Sequence, residues 1–123
     1  MALPALMVVG EDVSFRYLIQ RYADKCACRV VFVDVTEDIP SLVLQQAPEV
    51  VMIELGFPSA QGKAVLQALK THPATQGIPV IMCSWSQEAE WRLEDGATVY
   101  LQKPILYDDF RAALSDVETG QRS

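Results

Sequence analysis

The stretch VVMIELGFPSAQG, residues Val50–Gly62, decides the fold. Four apolar residues run directly into one acid, Glu54, and Gly56 and Pro58 then interrupt the pattern. A short apolar run followed by Gly and Pro is typical of a strand that is buried on both faces of a sheet. Because an unpaired carboxylate is costly to bury, Glu54 is predicted to lie at the open edge of the sheet and not in the core.

Four further strand-length runs surround this stretch, and segments with helical periodicity separate the five runs. The predicted strands are Ala5–Val9, Arg29–Val33, Glu49–Glu54, Ile78–Cys83 and Ala97–Gln102. Five helices are predicted. The first has an apolar face of Phe15, Leu18, Ile19 and Tyr22, and the last has an apolar face of Phe110, Ala113, Leu114 and Val117. The other three lie between Pro40 and Pro48, over Gln61–Thr71 and over Ser84–Gly96. Caps are expected from Asp12 or Ser14 at the first helix and from Asp108 or Asp109 at the last.

Five βα units with apolar strands predict a parallel sheet that is covered by helices on both faces. We therefore expect a doubly wound (βα)5 three-layer sandwich of the flavodoxin-like type, with strand order 2-1-3-4-5. One domain over residues 1–118 is expected, with residues 119–123 as a frayed tail or the start of a linker to an output domain. The residues expected to be buried in the sheet are Val8, Val31, Val51, Ile53, Ile81 and Leu101.

Composition narrows the classes of function. The 123 residues carry a net charge of −6 and no basic cluster, which argues against binding to nucleic acid or to anionic lipid. No apolar run approaches the roughly 20 residues that span a membrane, and no signal peptide is recognised, so a cytoplasmic location is expected. Cys83 is predicted to be a core residue, and Cys26 and Cys28, whose spacing is wrong for a zinc knuckle, are predicted to be free thiols.

Functional residues of doubly wound folds gather beyond the carboxyl ends of the strands. The motifs at these ends are LMVVGED, PEVVMIELGFPSAQG, HPATQGIPVIMCS and GATVYLQKPI. In this order, from about Leu6 to Val117, they resemble the receiver domain of two-component response regulators.

The resemblance implies roles for matched residues only. The phosphate-accepting aspartate of the family falls on Glu54, the switch Ser or Thr on Ser84, the lysine on Lys103, and the mobile aromatic of the fifth strand on Tyr100. Pro104, which follows that lysine, is usually in the cis form in the family.

The family's Mg²⁺ site is matched only in part. The acid pair falls on Gly10 and Glu11, so one acid is missing, and the carbonyl ligand falls on Gly56. A vestigial site of Glu11, Glu54 and Gly56 is expected to bind Mg²⁺ weakly at most, and no other cofactor is expected.

These departures favour a degenerate receiver, or pseudo-receiver, that is not an enzyme and signals by protein–protein contact without phosphotransfer. Glu11 and Glu54 would face each other at the strand ends without Mg²⁺, so Lys103 is predicted to pair with Glu54 and Ser84 to donate a hydrogen bond to it. Glu54 either imitates an aspartyl phosphate or simply replaces the aspartate. The alternatives are a conventional receiver, phosphorylated by a histidine kinase with Mg²⁺, and a small-ligand module that uses the pocket at the strand ends.

The partner is expected to be a signalling protein or a linked output domain. The predicted surface is the face of the fourth helix, fifth strand and fifth helix, which also offers a possible homodimer contact. Its residues are Trp85, Trp91, Glu90, Glu94 and Tyr100, and the fourth helix is expected to be short. Aromatic side chains anchor interfaces and acids steer a basic partner, whereas the alternative is a solvated acidic helix with its aromatics packed inward.

Overall fold

The computed structural model describes residues 5–34, 36–55, 60–85 and 99–118. In chain order the elements are β1 (Ala5–Val9), α1 (Val13–Lys25), β2 (Arg29–Val33), α2 (Ile39–Gln46), β3 (Val50–Glu54), α3 (Ala60–Thr71), β4 (Val80–Ser84), β5 (Val99–Gln102) and α4 (Tyr107–Glu118). Among these described residues, none of the helices combines the length and the hydrophobicity needed to cross a membrane.

The five strands form one parallel sheet in the order β2-β1-β3-β4-β5. The predicted topology is therefore confirmed, and β1 and β3 lie side by side at the centre. In their register Val9 pairs with Ile53, so the residues that follow, Gly10 and Glu54, meet at the carboxyl edge of the sheet.

Two hydrophobic clusters cover the two faces of the sheet. On one face α2 and α3 contribute Ile39, Val43, Val65, Leu66 and Leu69. On the other face α1 and α4 contribute Phe15, Ile19, Phe110 and Ala113. Since both faces are covered, the central strands show no alternation of polar and apolar residues, and their polar positions are the last residues of β3 and β4, Glu54 and Ser84.

The edge strands are less buried than the sequence predicted. Val8, Val51, Ile53 and Ile81 are buried in the central strands, as expected. Val31 in β2 and Leu101 in β5 are only half-buried, so those two predictions were wrong. The reason is that β2 and β5 are each flanked by a strand on one side only.

Helix boundaries follow local capping chemistry. The Asp12 side chain accepts hydrogen bonds from the backbone N–H groups of Ser14 and Phe15, at 2.8 and 3.3 Å, and so caps α1. At α4, by contrast, Asp108 and Asp109 lie inside the first turn, because the helix already begins at Tyr107. Their predicted role as the cap was wrong, although carboxylates in a first turn still suit the helix dipole.

Two predicted strands start later than expected. β3 begins at Val50, one residue after its predicted start at Glu49. Ile78 lies in a turn, where its N–H donates to the carbonyl oxygen of Thr75 at 3.0 Å, so β4 begins at Val80. The predicted fourth helix, between Ser84 and Gly96, lies almost wholly outside the described residues, as does the start of the strand predicted from Ala97.

Candidate functional site

The carboxyl ends of β3, β4 and β5 bring three polar residues, Glu54, Ser84 and Lys103, into one corner of the sheet. Backbone hydrogen bonds hold this corner together, because Leu55 N donates to Cys83 O at 2.8 Å and Lys103 N donates to Ser84 O at 2.7 Å. All three polar residues are buried. The site is therefore built on strand ends and is largely withdrawn from water.

Glu54 and Lys103 form a buried ion pair between Oε2 and Nζ. Their side chains are only 5 % and 7 % exposed, so water screens the pair little. The prediction that Lys103 pairs with Glu54 is confirmed. The peptide bond between Lys103 and Pro104 is cis, as the resemblance implied.

Glu54 also packs directly against Gly10 on the neighbouring strand. A Cβ atom at position 10 would lie 2.6 Å from Glu54 Oε1 and 2.9 Å from Glu54 Cβ. Real Cβ atoms essentially never approach other heavy atoms this closely. The missing side chain at position 10 is therefore a steric requirement of Glu54 in its observed position.

Two aromatic rings flank the Lys103 ammonium. Nζ lies 4.7 Å from the centroid of the Phe15 ring and 5.8 Å from that of Trp85. A ring face attracts a cation at such distances. Phe15 is buried in α1, while Trp85, which follows β4, is 67 % exposed. The ammonium is thus held by a carboxylate and by two rings.

Glu11 lies apart from this corner. It is exposed, and the charged group that acts on its carboxylate most strongly is Asp34, just after β2. The charge of Asp34 raises the pKa of Glu11, and hydrogen bonds from the backbone and side chain of Thr36 lower the pKa of Asp34. The expectation that Glu11 and Glu54 face each other was wrong, because Glu11 is exposed and influenced by Asp34, whereas Glu54 is buried against Lys103.

Arg16 in α1 contacts the carboxyl ends of both β1 and β2. Its Nε donates to Gly10 O at 2.6 Å, and another guanidinium nitrogen donates to Val33 O at 3.3 Å. Its charge also lowers the pKa values of Glu11 and Asp34. Arg16 was not predicted, since no sequence motif indicates that a helical arginine reaches two strand-end carbonyls. Asp34 was not predicted either, although its place directly after β2 was a usable signal.

The described side chains do not fit the Mg²⁺ site that the resemblance implies. Position 10 has no carboxylate, Glu54 forms an ion pair with Lys103, and the exposed Glu11 carboxylate is influenced mainly by the like charge of Asp34. Within the described part of the chain, no three His, Cys, Asp or Glu residues are grouped so that they would hold a metal ion. Gly56, the predicted carbonyl ligand, lies outside that part.

The other predicted site residues lie around this corner or outside the described ranges. Tyr100 is half-buried on β5, with its ring against the cluster under α2 and α3 and its hydroxyl oxygen buried. Cys83, opposite Glu54 in the β3–β4 register, is a core residue as predicted, and burial raises the pKa of its thiol strongly. Three predicted surface residues, Glu90, Trp91 and Glu94, lie outside the described residues.

The fold and the strand-end site define a doubly wound α/β protein of the flavodoxin-like type. Comparison with known proteins then gives the family, because residues 6–115 match the response regulator receiver domain. The chain belongs to this family, whose members are receiver domains of two-component response regulators.

Individual relatives are distant. The chain is 23% identical over 103 residues to the transcriptional regulatory protein YxdJ of Bacillus subtilis, covering 84% of the chain and 45% of YxdJ. It is 26% identical over 118 residues to the protein PilH of Pseudomonas aeruginosa, covering 94% of the chain and 98% of PilH. The chain thus spans less than half the length of YxdJ but nearly all of PilH.

Solved structures agree with the fold. A crystal structure of a putative response regulator from Chloroflexus aurantiacus superposes with a TM-score of 0.85, at 16% identity, over 96% of this chain and 99% of that one. At this identity the likeness supports the architecture alone, so the chemistry of the site has to be argued from its own residues.

Proposed function

We propose that this receiver domain acts in signal transduction through protein–protein contact, without phosphorylation of Glu54. The observation that carries the proposal is the buried ion pair of Glu54 with Lys103, packed against Gly10. Three properties of this arrangement support it: the orientation of the carboxylate, the charge around it, and the way in which Lys103 is held.

The orientation of the Glu54 carboxylate leaves little room for attack on a phosphodonor. Oε2 is bonded to Lys103, and Oε1 lies in the space that a Cβ at position 10 would fill. In-line transfer requires a carboxylate oxygen to face the donor phosphorus in near-attack geometry, and a displacement of about 1 Å can cost on the order of a hundredfold in rate. The ion pair would have to open before Glu54 met a phosphodonor.

The charge around Glu54 also differs from that of a metal-assisted site. Mg²⁺ needs near-octahedral oxygen coordination, usually with one or two carboxylates from the protein. Here the cation beside Glu54 is the ammonium of Lys103. Glu11, which matches one acid of the family's Mg²⁺-binding pair, is exposed and influenced mainly by Asp34. Lys103 therefore neutralises the acid that a metal would otherwise bind.

Lys103 is held where it cannot easily serve a phosphoryl group. Its ammonium lies between the Phe15 and Trp85 rings as well as against Glu54. Moving it would break a buried charge pair, which is costly because one charge is left without a partner. The arrangement thus favours a fixed domain whose surface is read by a partner.

The test is incubation of the protein with Mg²⁺ and acetyl phosphate, followed by intact mass measurement. We expect no gain of a phosphoryl group on the wild-type chain. The matched variant is Glu54→Asp combined with Gly10→Asp, which restores both acids and should move the protein toward phosphorylation unless Trp85 blocks access. A stoichiometric phosphoryl gain on the wild-type chain would refute the proposal.

For the partner surface we propose the face of β5 and α4 beside Trp85, and the acidic residues that follow Trp85 in the sequence. Exposure of the Trp85 side chain at 67 % supports it, since a large exposed aromatic is a frequent interface anchor. Glu90 and Glu94 belong to the same segment in the sequence and would steer a basic partner.

Charge reversal tests this surface. The variant Glu90→Lys with Glu94→Lys should reduce capture of the signalling partner or signalling output in the parent organism. The control is Glu49→Lys, because Glu49 is exposed next to the start of β3, at the other end of that strand from Glu54. Equal output from the double variant and the wild type would show that another face is used, and sedimentation of both proteins would show whether the same face forms a homodimer.

A further inference from the structure

A second chemically distinctive feature lies where α1 joins β2. The sequence Lys25-Cys26-Ala27-Cys28-Arg29 connects the last residue of α1 to the first residue of β2. Cys26 is the C-cap of α1 and Cys28 immediately precedes β2. Neither cysteine takes part in the site at the strand ends.

The backbone of this connection holds the two cysteines close to the last turn of α1. Cys26 N donates to Tyr22 O at 3.2 Å, and Cys28 N donates to Ala23 O at 2.9 Å, so both ends are tied to the last turn of α1. Ala27 between them has a backbone φ of 58°, in the left-handed region that residues other than glycine rarely adopt. This turn brings the two Sγ atoms to 3.1 Å from each other.

That separation is about 1 Å longer than a disulfide bond, which measures roughly 2.05 Å. Both cysteines are reduced thiols, and both are half-buried. The described residues offer no third metal-ligating side chain to this pair, so the geometry favours sulfur–sulfur chemistry over metal binding.

We propose that Cys26 and Cys28 form a dithiol site for a disulfide oxidant such as glutathione disulfide. One protein thiolate attacks the oxidant, forming a mixed disulfide and releasing one glutathione thiolate. The second protein thiolate then attacks the protein sulfur of that mixed disulfide, and the second glutathione leaves. The two protein sulfurs are oxidised, the oxidant is reduced to two thiols, and the protons of the cysteines end on the released glutathione.

Local charge and burial make this pair the reactive cysteines of the chain. Lys25 and Arg29 flank the pair with exposed cationic side chains, which attract an anionic oxidant. Cys83 is fully buried, and burial raises the pKa of its thiol, so its nucleophilic thiolate is disfavoured. Cys83 thus serves as an unreactive reference in the same molecule.

The experiment treats the reduced, folded full chain with glutathione disulfide and follows intact mass, thiol titration and peptide mapping. The expected product has lost two hydrogens, retains one of the three thiols, and yields a peptide with Cys26 linked to Cys28. In Cys26→Ser and in Cys28→Ser the ring cannot close, so one glutathionyl group should accumulate on the remaining cysteine.

Other outcomes would overturn the proposal. A wild-type chain that carries two glutathionyl groups would show that the thiols react independently. A disulfide between two chains would show that the pair does not close on itself, and an unchanged mass under conditions that glutathionylate either single variant would show the same. Reaction of Cys83 in the folded protein before Cys26 and Cys28 would also contradict it.

Discussion

Glu54 and Glu11 belong to the same carboxyl edge of one sheet, yet their surroundings are opposite. Glu54 is buried, and the cation of Lys103 neutralises it. Glu11 is exposed, and the like charge of Asp34 raises its pKa. A divalent metal site requires carboxylates that converge, and here one acid is enclosed while the other is turned away. The edge is thus divided into a dry ion pair and a wet acid pair, and each half can be disturbed separately.

The largest effect is expected from removing the cation of the dry half. Lys103→Met leaves the buried carboxylate of Glu54 without its partner, a change that costs on the order of 3 kcal/mol of unfolding free energy. Urea denaturation measures the loss. Adding Glu54→Gln removes the uncompensated charge, so the double variant should lose less stability than the sum of the two single variants.

Lys25→Met is the control for that experiment. Lys25 is exposed, with its ammonium 4.1 Å from the centroid of the Tyr107 ring, so its removal should cost less than about 1 kcal/mol. Equal losses for Lys25→Met and Lys103→Met would show that the Glu54–Lys103 pair contributes nothing special.

The next effect concerns the close approach of Gly10 to Glu54. Gly10→Ala places a Cβ 2.6 Å from Glu54 Oε1 and 2.9 Å from Glu54 Cβ, which is too close. Overpacking of this kind typically costs about 1 to 3 kcal/mol. The matched control is Gly77→Ala, because a Cβ at Gly77 would meet nothing within 4 Å. If thermal unfolding places both variants at the same midpoint, the strand ends can separate freely and the steric argument fails.

A smaller effect is expected at the boundary between the two halves. Arg16→Met removes the hydrogen bonds of the guanidinium to Gly10 O and Val33 O, which we expect to cost roughly 1.5 kcal/mol. Because the charge of Arg16 lowers the pKa values of Glu11 and Asp34, both should rise in the variant. Carboxyl NMR titration measures both pKa values. A loss of stability without these pKa changes would show that the charge of Arg16 does not act on Glu11 and Asp34.

The smallest effect is a titration within the wet half. Asp34→Asn should lower the pKa of Glu11 toward its ordinary value of 4.5, as measured by carboxyl ¹³C shifts. In the wild type, the raised pKa of Glu11 means a contribution to stability that is present below pH 4.5 and is lost as pH rises through the folded-state pKa. The lowered pKa of Asp34 has the opposite sign, since its contribution is present above pH 3.8 and is lost as pH falls through its folded-state pKa. An unchanged Glu11 titration in the variant would show that Asp34 is not its partner.

The sheet and the buried ion pair could be predicted from the sequence for one physical reason. Parallel strands covered on both faces must be apolar throughout, so polar residues such as Glu54 and Lys103 mark the strand ends, and the ends of neighbouring parallel strands meet. Family resemblance added the match of Lys103 to the lysine after the fifth strand, and it named the chemistry from which the site departs.

Other features depend on distances that no sequence pattern encodes. Periodicity showed that Phe15 faces the core, but not that its ring lies against the Lys103 ammonium. The loss of an acid at Gly10 was visible in the sequence, whereas its close contact with Glu54 arises from the separation of β1 and β3. The influence of Asp34 on Glu11 depends on the parallel pairing of β1 with β2, and the partial exposure of Val31 and Leu101 depends on the order of the strands.

The contact between Gly10 and Glu54 also restricts the order in which substitutions can accumulate at this edge. In a chain that carries Glu54, any side chain at position 10 would place its Cβ 2.9 Å from Glu54 Cβ, so a stepwise route that avoids this strain introduces glycine at position 10 before glutamate at position 54. In the reverse direction, Glu54→Asp relieves the contact of Oε1 and leaves the contact of Cβ, so an acid regained at position 10 still requires the strands to move apart. Variants that carry an acid at position 10 are therefore expected to be less stable than the wild type, whichever acid stands at position 54.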